Sequence, residues 1–178
     1  MIIIAPGFEE IETITVVDIL RRSGARVTLA GTEPGPLKGS RDVVIVPDVL
    51  LEETIEKSFD LIVLPGGQPG TTNLRNNPKV LDLITKASED RKKIAAICAA
   101  PLVLDSANLL EGKTFTSHPS VENELDKGQY SQERVVIDDN LITSRSPGTA
   151  MEFAFALVEE LFGKNRSETV NKGVMAKL

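Results

Sequence analysis

The chain has 178 residues, of which 41% are hydrophobic, and its 20 basic and 26 acidic side chains leave a formal charge of −6. A chain of this length can bury most of its apolar surface in one core, so we expect a single domain over residues 1–178. The acidic balance and the lack of a long Lys or Arg run argue against a nucleic-acid partner. With one cysteine and one histidine, neither an internal disulfide nor a Cys/His zinc site can form, so we expect a cytoplasmic protein without a metal.

The predicted elements alternate between short apolar strands and longer amphipathic helices. The first strand, 2–5, is too short for a signal peptide or a membrane span. Helical spacing from Ile11 to Leu20 predicts a helix that stops at Ser23 and Gly24. Further strands are predicted at 26–30, 43–46, 61–64, 93–97, 114–116, 135–137 and 141–143, and further helices after Pro78, after Pro101 and over 150–161. This alternation predicts an α/β fold with three layers around a doubly wound, mostly parallel sheet.

Ligands of open parallel sheets bind at the carboxyl ends of the strands, where loops and helix N-termini converge. The sequence places four chemically distinct segments at such positions, namely 9–12, 65–67, 98–101 and 117–119. We therefore expect a carboxylate, a Gly-Gly turn, a cysteine and a histidine to meet at one edge of the sheet.

Cys98 lies where a predicted strand passes into a helix that begins near Pro101. The residues two before and two after it, Ala96 and Ala100, are small, as a tight turn that presents a nucleophile requires. The N-terminus of the following helix is expected to favour the thiolate. The alternative is that this cysteine is a small buried hydrophobic residue, because cysteine is among the most buried residue types. The local sequence does not choose between the two interpretations.

Two kinds of residue could move protons for this thiol. His118 lies in a loop at a strand end and could act as a proton shuttle, although a surface histidine without a role is equally ordinary. Glu9, Glu10 and Glu12 occupy the first turn of the first helix, where the helix dipole favours carboxylates without further purpose. One of them could project toward Cys98, where an apolar site would raise its pKa. The residues alone leave open which one does.

Anion binding is a second possible role for residues near the strand ends. Gly66 and Gly67 could direct N–H groups at an oxyanion together with the N–H of Ala99, or they could form an ordinary turn. The sequence around them has neither a Walker motif nor dinucleotide-fold glycine spacing, so neither ATP nor NAD is expected as a cofactor. Arg22 and Arg41 are either solvated charges or anion ligands at a subunit interface.

Six segments of the chain, in order, resemble the ThiJ/PfpI superfamily and in particular its DJ-1 branch. They are 7–13, 40–45, 64–67, 95–101, 116–119 and 143–149. The resemblance runs nearly end to end. It implies a flavodoxin-like αβα sandwich, similar to class I glutamine amidotransferases, that assembles as a homodimer.

The same resemblance implies roles for individual residues. Cys98 matches the reactive cysteine on a strained elbow, and Glu12 matches the carboxylate that is hydrogen-bonded to it. The remaining matches are His118 near the cysteine, Gly67 and Ala99 as backbone donors around it, and Arg22 and Arg41 as arginines that frame the pocket near the dimer interface. Relatives with peptidase character carry a histidine directly after the cysteine, and Ala99 stands there, so a peptidase is not expected.

The function implied by the resemblance is that of a glutathione-independent glyoxalase acting on methylglyoxal or glyoxal, or of a deglycase acting on their protein adducts. Both need only a thiol and a proton-transferring carboxyl group, so no cofactor is expected. The alternative is a redox-sensing or chaperone-like protein in which Cys98 is oxidised to a sulfinic acid. The expected partners are a small dicarbonyl substrate or a glycated protein and a second copy of the chain, with no membrane.

Overall fold

The computed structural model describes residues 1–178 and contains a seven-stranded sheet and two short strand pairs. The strands are β1 (Ile2–Ile4), β2 (Leu29–Gly31), β3 (Leu37–Lys38), β4 (Val44–Ile45), β5 (Val49–Leu50), β6 (Leu61–Leu64), β7 (Lys93–Ile97), β8 (Thr114–Phe115), β9 (Gln129–Tyr130), β10 (Val135–Asp138) and β11 (Leu141–Ser144). The large sheet has the order β10-β11-β7-β6-β1-β2-β5, and all neighbours in it are parallel except β10 and β11. The predicted mostly parallel sheet is therefore confirmed.

Helices cover both faces of this sheet and complete a three-layer sandwich. They are α1 (Glu10–Arg22), α2 (Gly70–Arg75), α3 (Pro78–Glu89), α4 (Pro101–Ser106), α5 (Ala150–Phe162) and α6 (Lys164–Val174). The core on one face packs Ile4 and Ile97 of the sheet against α1, α5 and α6. The core on the other face packs Ile3 and Leu64 against α2, α3 and α4. The predicted α/β sandwich is confirmed.

The central strands β1, β6 and β7 carry the region in which the candidate residues lie. Every residue of β1 and β6 is buried, and successive side chains enter the two cores in turn. Strands with helices on both faces need apolar side chains at every position, which explains the uninterrupted apolar runs. Because the three strands are adjacent and parallel, their carboxyl ends lie together at one edge of the sheet.

Helix α1 begins just after the carboxyl end of β1. The Glu9 carboxylate accepts a hydrogen bond from the Glu12 N–H at 2.7 Å, which satisfies a backbone donor in the first turn. Arg21 and Arg22 in the last turn complement the helix dipole, and Gly24 follows with a φ of +92°. The predicted stop of this helix is confirmed.

A strand forms within the predicted range 43–46, but it does not join the large sheet. Only β4 forms there, and it pairs antiparallel with β3 in a separate hairpin. Val44 is 56% exposed and Val46 is 69% exposed, so this apolar run does not lie in the core. The edge of the large sheet is formed instead by the short strand β5.

Other elements differ from their predictions in smaller ways. β8 pairs with β9 outside the large sheet, and the strand predicted at 26–30 begins only at Leu29. Helices α2 and α6 are absent from the sequence prediction. α2 has only 6 residues, and α6 buries only Ser167 and Val170, so neither gives a strong apolar period. None of the helices combines the length and the apolar character that crossing a membrane would require.

Candidate active site

Cys98 forms a tight elbow between β7 and α4. Its φ is +65°, in the left-handed region that residues with a side chain rarely adopt. The strained backbone is held on both sides, because the Cys98 N–H donates to the Ser144 carbonyl at 3.0 Å and its own carbonyl accepts from the His118 N–H at 2.8 Å. Ala100 is fully buried beneath the turn. The predicted tight turn is present, and it leaves the thiol only partly exposed.

Glycines at the end of β6 allow three segments to approach each other at this elbow. A Cβ atom at Gly66 would lie 2.7 Å from the Cys98 Cβ and 2.9 Å from the Glu12 Oε2. Gly67 has a φ of +93°, and a Cβ atom there would lie 2.5 Å from the backbone nitrogen of Glu9. The glycines therefore permit close contact among the β6 turn, the elbow and the start of α1.

Glu12 is the carboxyl group that the fold brings to the thiol. Its side chain is completely buried, and its Oε2 accepts a hydrogen bond from the Gly66 N–H at 2.8 Å. Its Oε1 is buried without a hydrogen bond of regular geometry. Burial raises the Glu12 pKa to about 7, and the Cys98 thiol lies close enough to the Glu12 side chain to act in the opposite direction. The carboxyl group therefore changes its charge near neutral pH.

The electrostatics of the Cys98 thiol differ from the sequence-based expectation. Burial, and then the neighbouring Glu12 carboxylate, raise the pKa of the thiol above its ordinary value. The N–H groups of Ala99 and Gly67 point at the sulfur and act in the opposite direction, but they do not outweigh the burial. The backbone donors at the start of the following helix favour the thiolate as expected, but burial and Glu12 outweigh them, so the net shift of the thiol pKa is upward. The site pairs a protonated thiol with a carboxylate that can take its proton.

The other two glutamates of α1 have structural contacts. Glu9 caps the helix. The Glu10 carboxylate accepts a 2.6 Å hydrogen bond from the Arg41 N–H and a 3.2 Å hydrogen bond from the Ser40 hydroxyl, and so holds the loop before β4 against α1. The sequence left the choice among the three glutamates open, and the fold brings only Glu12 to the thiol.

His118 lies beside the elbow through its backbone. Its ring Nδ1 accepts a hydrogen bond from the Ser120 N–H at 3.1 Å and is 2.7 Å from the Ser120 hydroxyl, so the ring caps the 3₁₀ helix Pro119–Glu124. The hydrogen bonds of the ring thus go to Ser120, and none goes to Cys98 or Glu12. Its role as a proton shuttle stays a prediction.

The two arginines are exposed and bonded to their own neighbours. Arg22 donates to Asp18 at 2.7 Å, one turn earlier in α1. The Arg41 guanidinium donates to the Ser40 carbonyl at 3.0 Å. Burial raises the pKa of Glu9, and the nearby positive charge of Arg41 acts in the opposite direction. Neither arginine hydrogen-bonds to Cys98 or Glu12, and their role in anion binding stays a prediction.

The structure also places residues at the site that sequence reasoning missed. The Ser144 carbonyl supports the elbow, and Val121 and Leu125 pack with Cys98 and Leu102 in a small apolar cluster. The two apolar residues stand four positions apart in an otherwise polar segment, and this spacing could have identified them.

Two cavities of the molecule lie away from Cys98 and Glu12. One of about 790 Å³ opens at the amino ends of the central strands, next to Met1, Leu61 and Phe162. Another of about 270 Å³ lies between Phe59 and Leu83. Neither is lined by a thiol, so the chemistry of the side chains assigns the site to Cys98. No group of three or more His, Cys, Asp or Glu residues is arranged to hold a metal ion.

Comparison with known proteins finds similarity along nearly the whole chain. The model of the DJ-1/PfpI family matches residues 1–160. The protein dj-1beta of Drosophila melanogaster is 44% identical over 178 residues, which cover 98% of this chain and 95% of that protein. The crystal structure of Drosophila melanogaster DJ-1beta has a TM-score of 0.96 at 45% identity, with coverage of 98% of this chain and 95% of that one.

Two further similar proteins carry names or descriptions that bear on chemistry. The glutathione-independent glyoxalase DJR-1.2 of Caenorhabditis elegans is 39% identical over 166 residues, which cover 92% of this chain and 88% of that protein. A structure of Toxoplasma gondii DJ-1, described as oxidized, has a TM-score of 0.95 at 31% identity and covers 98% of this chain and 96% of that chain.

Proposed function

Because the chain belongs to the DJ-1/PfpI family, we propose that it is a glutathione-independent glyoxalase that converts methylglyoxal or glyoxal to the corresponding hydroxy acid. A similar protein of Caenorhabditis elegans is named for this activity. The observation that carries the proposal is the buried Glu12 carboxyl group beside the Cys98 thiol. Burial raises the Glu12 pKa to about 7, so the group can take and return protons at neutral pH.

The first step is addition of the thiol to the aldehyde. The Glu12 carboxylate takes the S–H proton while the Cys98 sulfur bonds to the aldehyde carbon, and the carbonyl electron pair moves to oxygen. The N–H groups of Gly67 and Ala99, which point at the sulfur, stabilise the resulting oxyanion. Glu12 then returns the proton to that oxygen, which gives a neutral hemithioacetal.

The remaining steps rearrange the bound substrate by proton transfer and then release the hydroxy acid from Cys98. The Glu12 carboxylate removes the proton from the former aldehyde carbon, and the electron pair of the adjacent carbonyl moves to its oxygen, which gives an enediolate. The hydroxyl proton on the former aldehyde carbon passes to that oxygen. The protonated Glu12 carboxyl group then delivers its proton to the adjacent carbon while a C=O bond forms at the former aldehyde carbon. The product is a thioester of Cys98. Water hydrolyses this thioester to the hydroxy acid and regenerates the thiol, so the sum is addition of one water to the dicarbonyl and no external oxidant or reductant is needed.

The test is to incubate the protein with methylglyoxal in an amine-free buffer and to follow lactate. We expect Cys98→Ser to lose about a thousandfold or more of the activity, since it replaces the nucleophile. Glu52→Gln is the control, because Glu52 is an exposed carboxylate that pairs with Lys79 at 2.6 Å. If the wild type makes no more lactate than Cys98→Ser, the proposal is wrong.

Deglycation is the second form that this activity could take, because adducts of amines with dicarbonyls release free aldehyde. The two are separated with a preformed methylglyoxal adduct of an N-acetylated amino acid. A glyoxalase forms lactate no faster than the adduct releases aldehyde spontaneously. Lactate formation that exceeds this release rate in the presence of the protein identifies a deglycase.

Oxidation sensing is a competing function for the same thiol, and a similar structure described as oxidized favours it. Two equivalents of peroxide oxidise a thiol to a sulfinic acid and are reduced to water, and a protonated Glu12 would donate a hydrogen bond to the product. The test is intact-mass measurement during a peroxide titration. A gain of two oxygen atoms at Cys98 at modest peroxide supports the sensor, and a thiol that stays reduced removes it.

We also propose that the protein is a homodimer. Exposed apolar side chains cluster where α1 meets the β3–β4 hairpin, with Ile11 57%, Ile14 46% and Val43 50% exposed. Glu10 joins α1 to the loop before β4, so these exposed apolar side chains lie on two adjoining elements that a second copy could cover. Light scattering tests this: Ile14→Lys should weaken the dimer, whereas the control Ile137→Lys, at a site 47% exposed on β10, should not. A wild-type monomer at micromolar concentration would refute the proposal.

A further inference from the structure

A short polar segment crosses the candidate active site between β8 and β9. We name residues 118–128 the strap; they include the 3₁₀ helix Pro119–Glu124. The strap is fixed at its first residue, where the His118 N–H donates to the Cys98 carbonyl at 2.8 Å. Its last residue, Gly128, has a φ of +79° and passes so close to the carbonyl oxygen of Leu110 that a side chain there would collide with it. The part between these ends lies beside the elbow.

Two apolar side chains of the strap turn inward. Val121 is only 5% exposed and Leu125 is partly buried, and both pack in the cluster that contains Cys98, Ala99 and Leu102. The other strap side chains between residues 120 and 127 are polar or charged. Between residues 120 and 127, the side chains of the strap that pack in this cluster are therefore aliphatic and cannot take part in proton transfer.

The second half of the strap is attached to the helix that follows the elbow. The Lys127 ammonium donates to the Asp105 carbonyl at 3.0 Å and to the Asn108 Oδ1 at 2.7 Å. It also lies 3.9 Å from the Asp105 Oδ1, a buried oxygen that has no hydrogen bond of its own. Because Lys127 is two residues after Leu125, this attachment holds Leu125 against the cluster.

We propose that Val121 and Leu125 form the wall that limits the size of the molecules reaching the Cys98 sulfur, and that Lys127 holds this wall in place. A wall made of aliphatic carbon favours a substrate methyl group over a hydrogen atom, so methylglyoxal is preferred to glyoxal. It also excludes bulky glycated side chains in favour of free aldehydes. The access part of this inference stands on the packing alone, and the substrate part rests on the proposed function.

The access part is tested by the rate of Cys98 labelling with two reagents of different size. Iodoacetamide, from which the sulfur displaces iodide, is the small reagent, and fluorescein maleimide, to whose double bond the sulfur adds, is the large one. We divide the labelling rate of the large reagent by that of the small reagent. A change in the thiol pKa affects both rates, so it cancels from this ratio to first order. We expect Val121→Ala and Leu125→Ala to raise this ratio about tenfold by opening a cavity. Lys127→Met should raise it about threefold by removing the hydrogen bonds of the ammonium.

Matched variants guard against general loosening of the structure. Val170→Ala removes a valine that is 6% exposed, as against 5% for Val121, on α6 in the opposite core, and should leave the ratio unchanged. Val121→Leu adds bulk at the wall and should lower the ratio, which a destabilised protein would not do. If all strap variants keep the wild-type ratio while folded, or if Val170→Ala raises it as much as Val121→Ala, the inference is overturned.

The substrate part is tested by kcat/KM for methylglyoxal divided by kcat/KM for glyoxal. We expect Val121→Ala to lower this preference by about three- to tenfold, the scale of one lost methyl contact. A wild type without turnover but with the expected labelling ratios refutes the proposed function and leaves the wall in place. Turnover without any change in preference or labelling in the strap variants refutes the wall and leaves the proposed function in place.

Discussion

Glu10 and Glu12 stand two residues apart in the first turn of α1, and both are buried, yet their surroundings differ. Glu10 meets the hairpin loop, whose N–H and hydroxyl groups donate to both of its oxygens. Glu12 meets the elbow, where its Oε2 accepts one hydrogen bond from Gly66 and its Oε1 is buried without a hydrogen bond. A buried carboxylate with a full set of donors is an anchor, whereas one with an incomplete set has a raised pKa and can exchange protons.

The largest expected effect separates the two glutamates by activity. Glu12→Gln preserves the acceptor for the Gly66 N–H but cannot take a proton, so kcat/KM for methylglyoxal should fall by about 10²- to 10⁴-fold. Glu10→Gln should stay within about threefold of the wild type, because its contacts reach the hairpin and not the thiol. Equal losses in the two variants would contradict the assignment of proton transfer to Glu12.

The second effect is a pH dependence of stability that belongs to Glu12. The pKa of Glu12 is about 7 in the folded protein, whereas its ordinary value, which applies to the unfolded chain, is 4.5. Between pH 4.5 and pH 7, the Glu12 side chain of the unfolded chain has therefore lost a proton that the folded protein retains. The contribution of Glu12 to the unfolding free energy is therefore complete below pH 4.5 and is lost as the pH rises to about 7. Relative to Glu12→Gln, the wild type should lose about 2 to 3 kcal/mol between pH 4.5 and 7.5.

Urea unfolding of both proteins at pH 5 and pH 8 measures this difference. Cys98 does not contribute in this range, because its raised pKa keeps the thiol protonated in the folded state. A constant difference in unfolding free energy between the wild type and Glu12→Gln across the range would show that Glu12 is already ionised at pH 5.

The third effect concerns the anchor. In the wild type, the hydrogen bonds from Ser40 and Arg41 are accepted by a charged carboxylate, and Glu10→Gln replaces it with a neutral amide. We expect this weakening to lower the unfolding free energy by about 1 to 2 kcal/mol at neutral pH. Thermal or urea unfolding measures this. Glu12→Gln should be no less stable than the wild type under the same conditions, so a larger destabilisation by Glu12→Gln than by Glu10→Gln would reverse the comparison.

The smallest effect is expected at His118. Asparagine can accept the Ser120 N–H bond that the His118 ring accepts now, so His118→Asn should change kcat/KM by less than about threefold. The backbone bond from residue 118 to Cys98 does not depend on the side chain. A loss comparable to that of Glu12→Gln would make His118 a second proton carrier beside Glu12.

Parts of the fold could be predicted from the sequence because burial leaves a strong signal. The runs at β1 and β6, and β7 after Lys93, are apolar because both faces of these strands are covered, and the alanines around Cys98 indicated a tight turn. The hairpin valines gave the same apolar signal without burial, because exposure depends on what packs against them. α6 gave no signal, since its buried residues are few.

The candidate site was predictable in composition but not in electrostatics. Three glutamates share one helical turn, and only the approach of Gly66 and the hairpin loop distinguishes Glu12 from Glu10. The direction of the Cys98 pKa shift also depends on a three-dimensional balance, in which burial and Glu12 outweigh the backbone donors. Family resemblance named Glu12, and the contacts explain why it differs from its neighbours.

The central claim is that Glu12 titrates near neutral pH beside Cys98. It is tested most directly by following the carboxyl carbon of Glu12 by NMR in protein labelled with ¹³C-glutamate, with the signal assigned by its absence in Glu12→Gln. We predict a midpoint near pH 7, where burial places the pKa. A midpoint at or below the ordinary value of 4.5 would contradict the account.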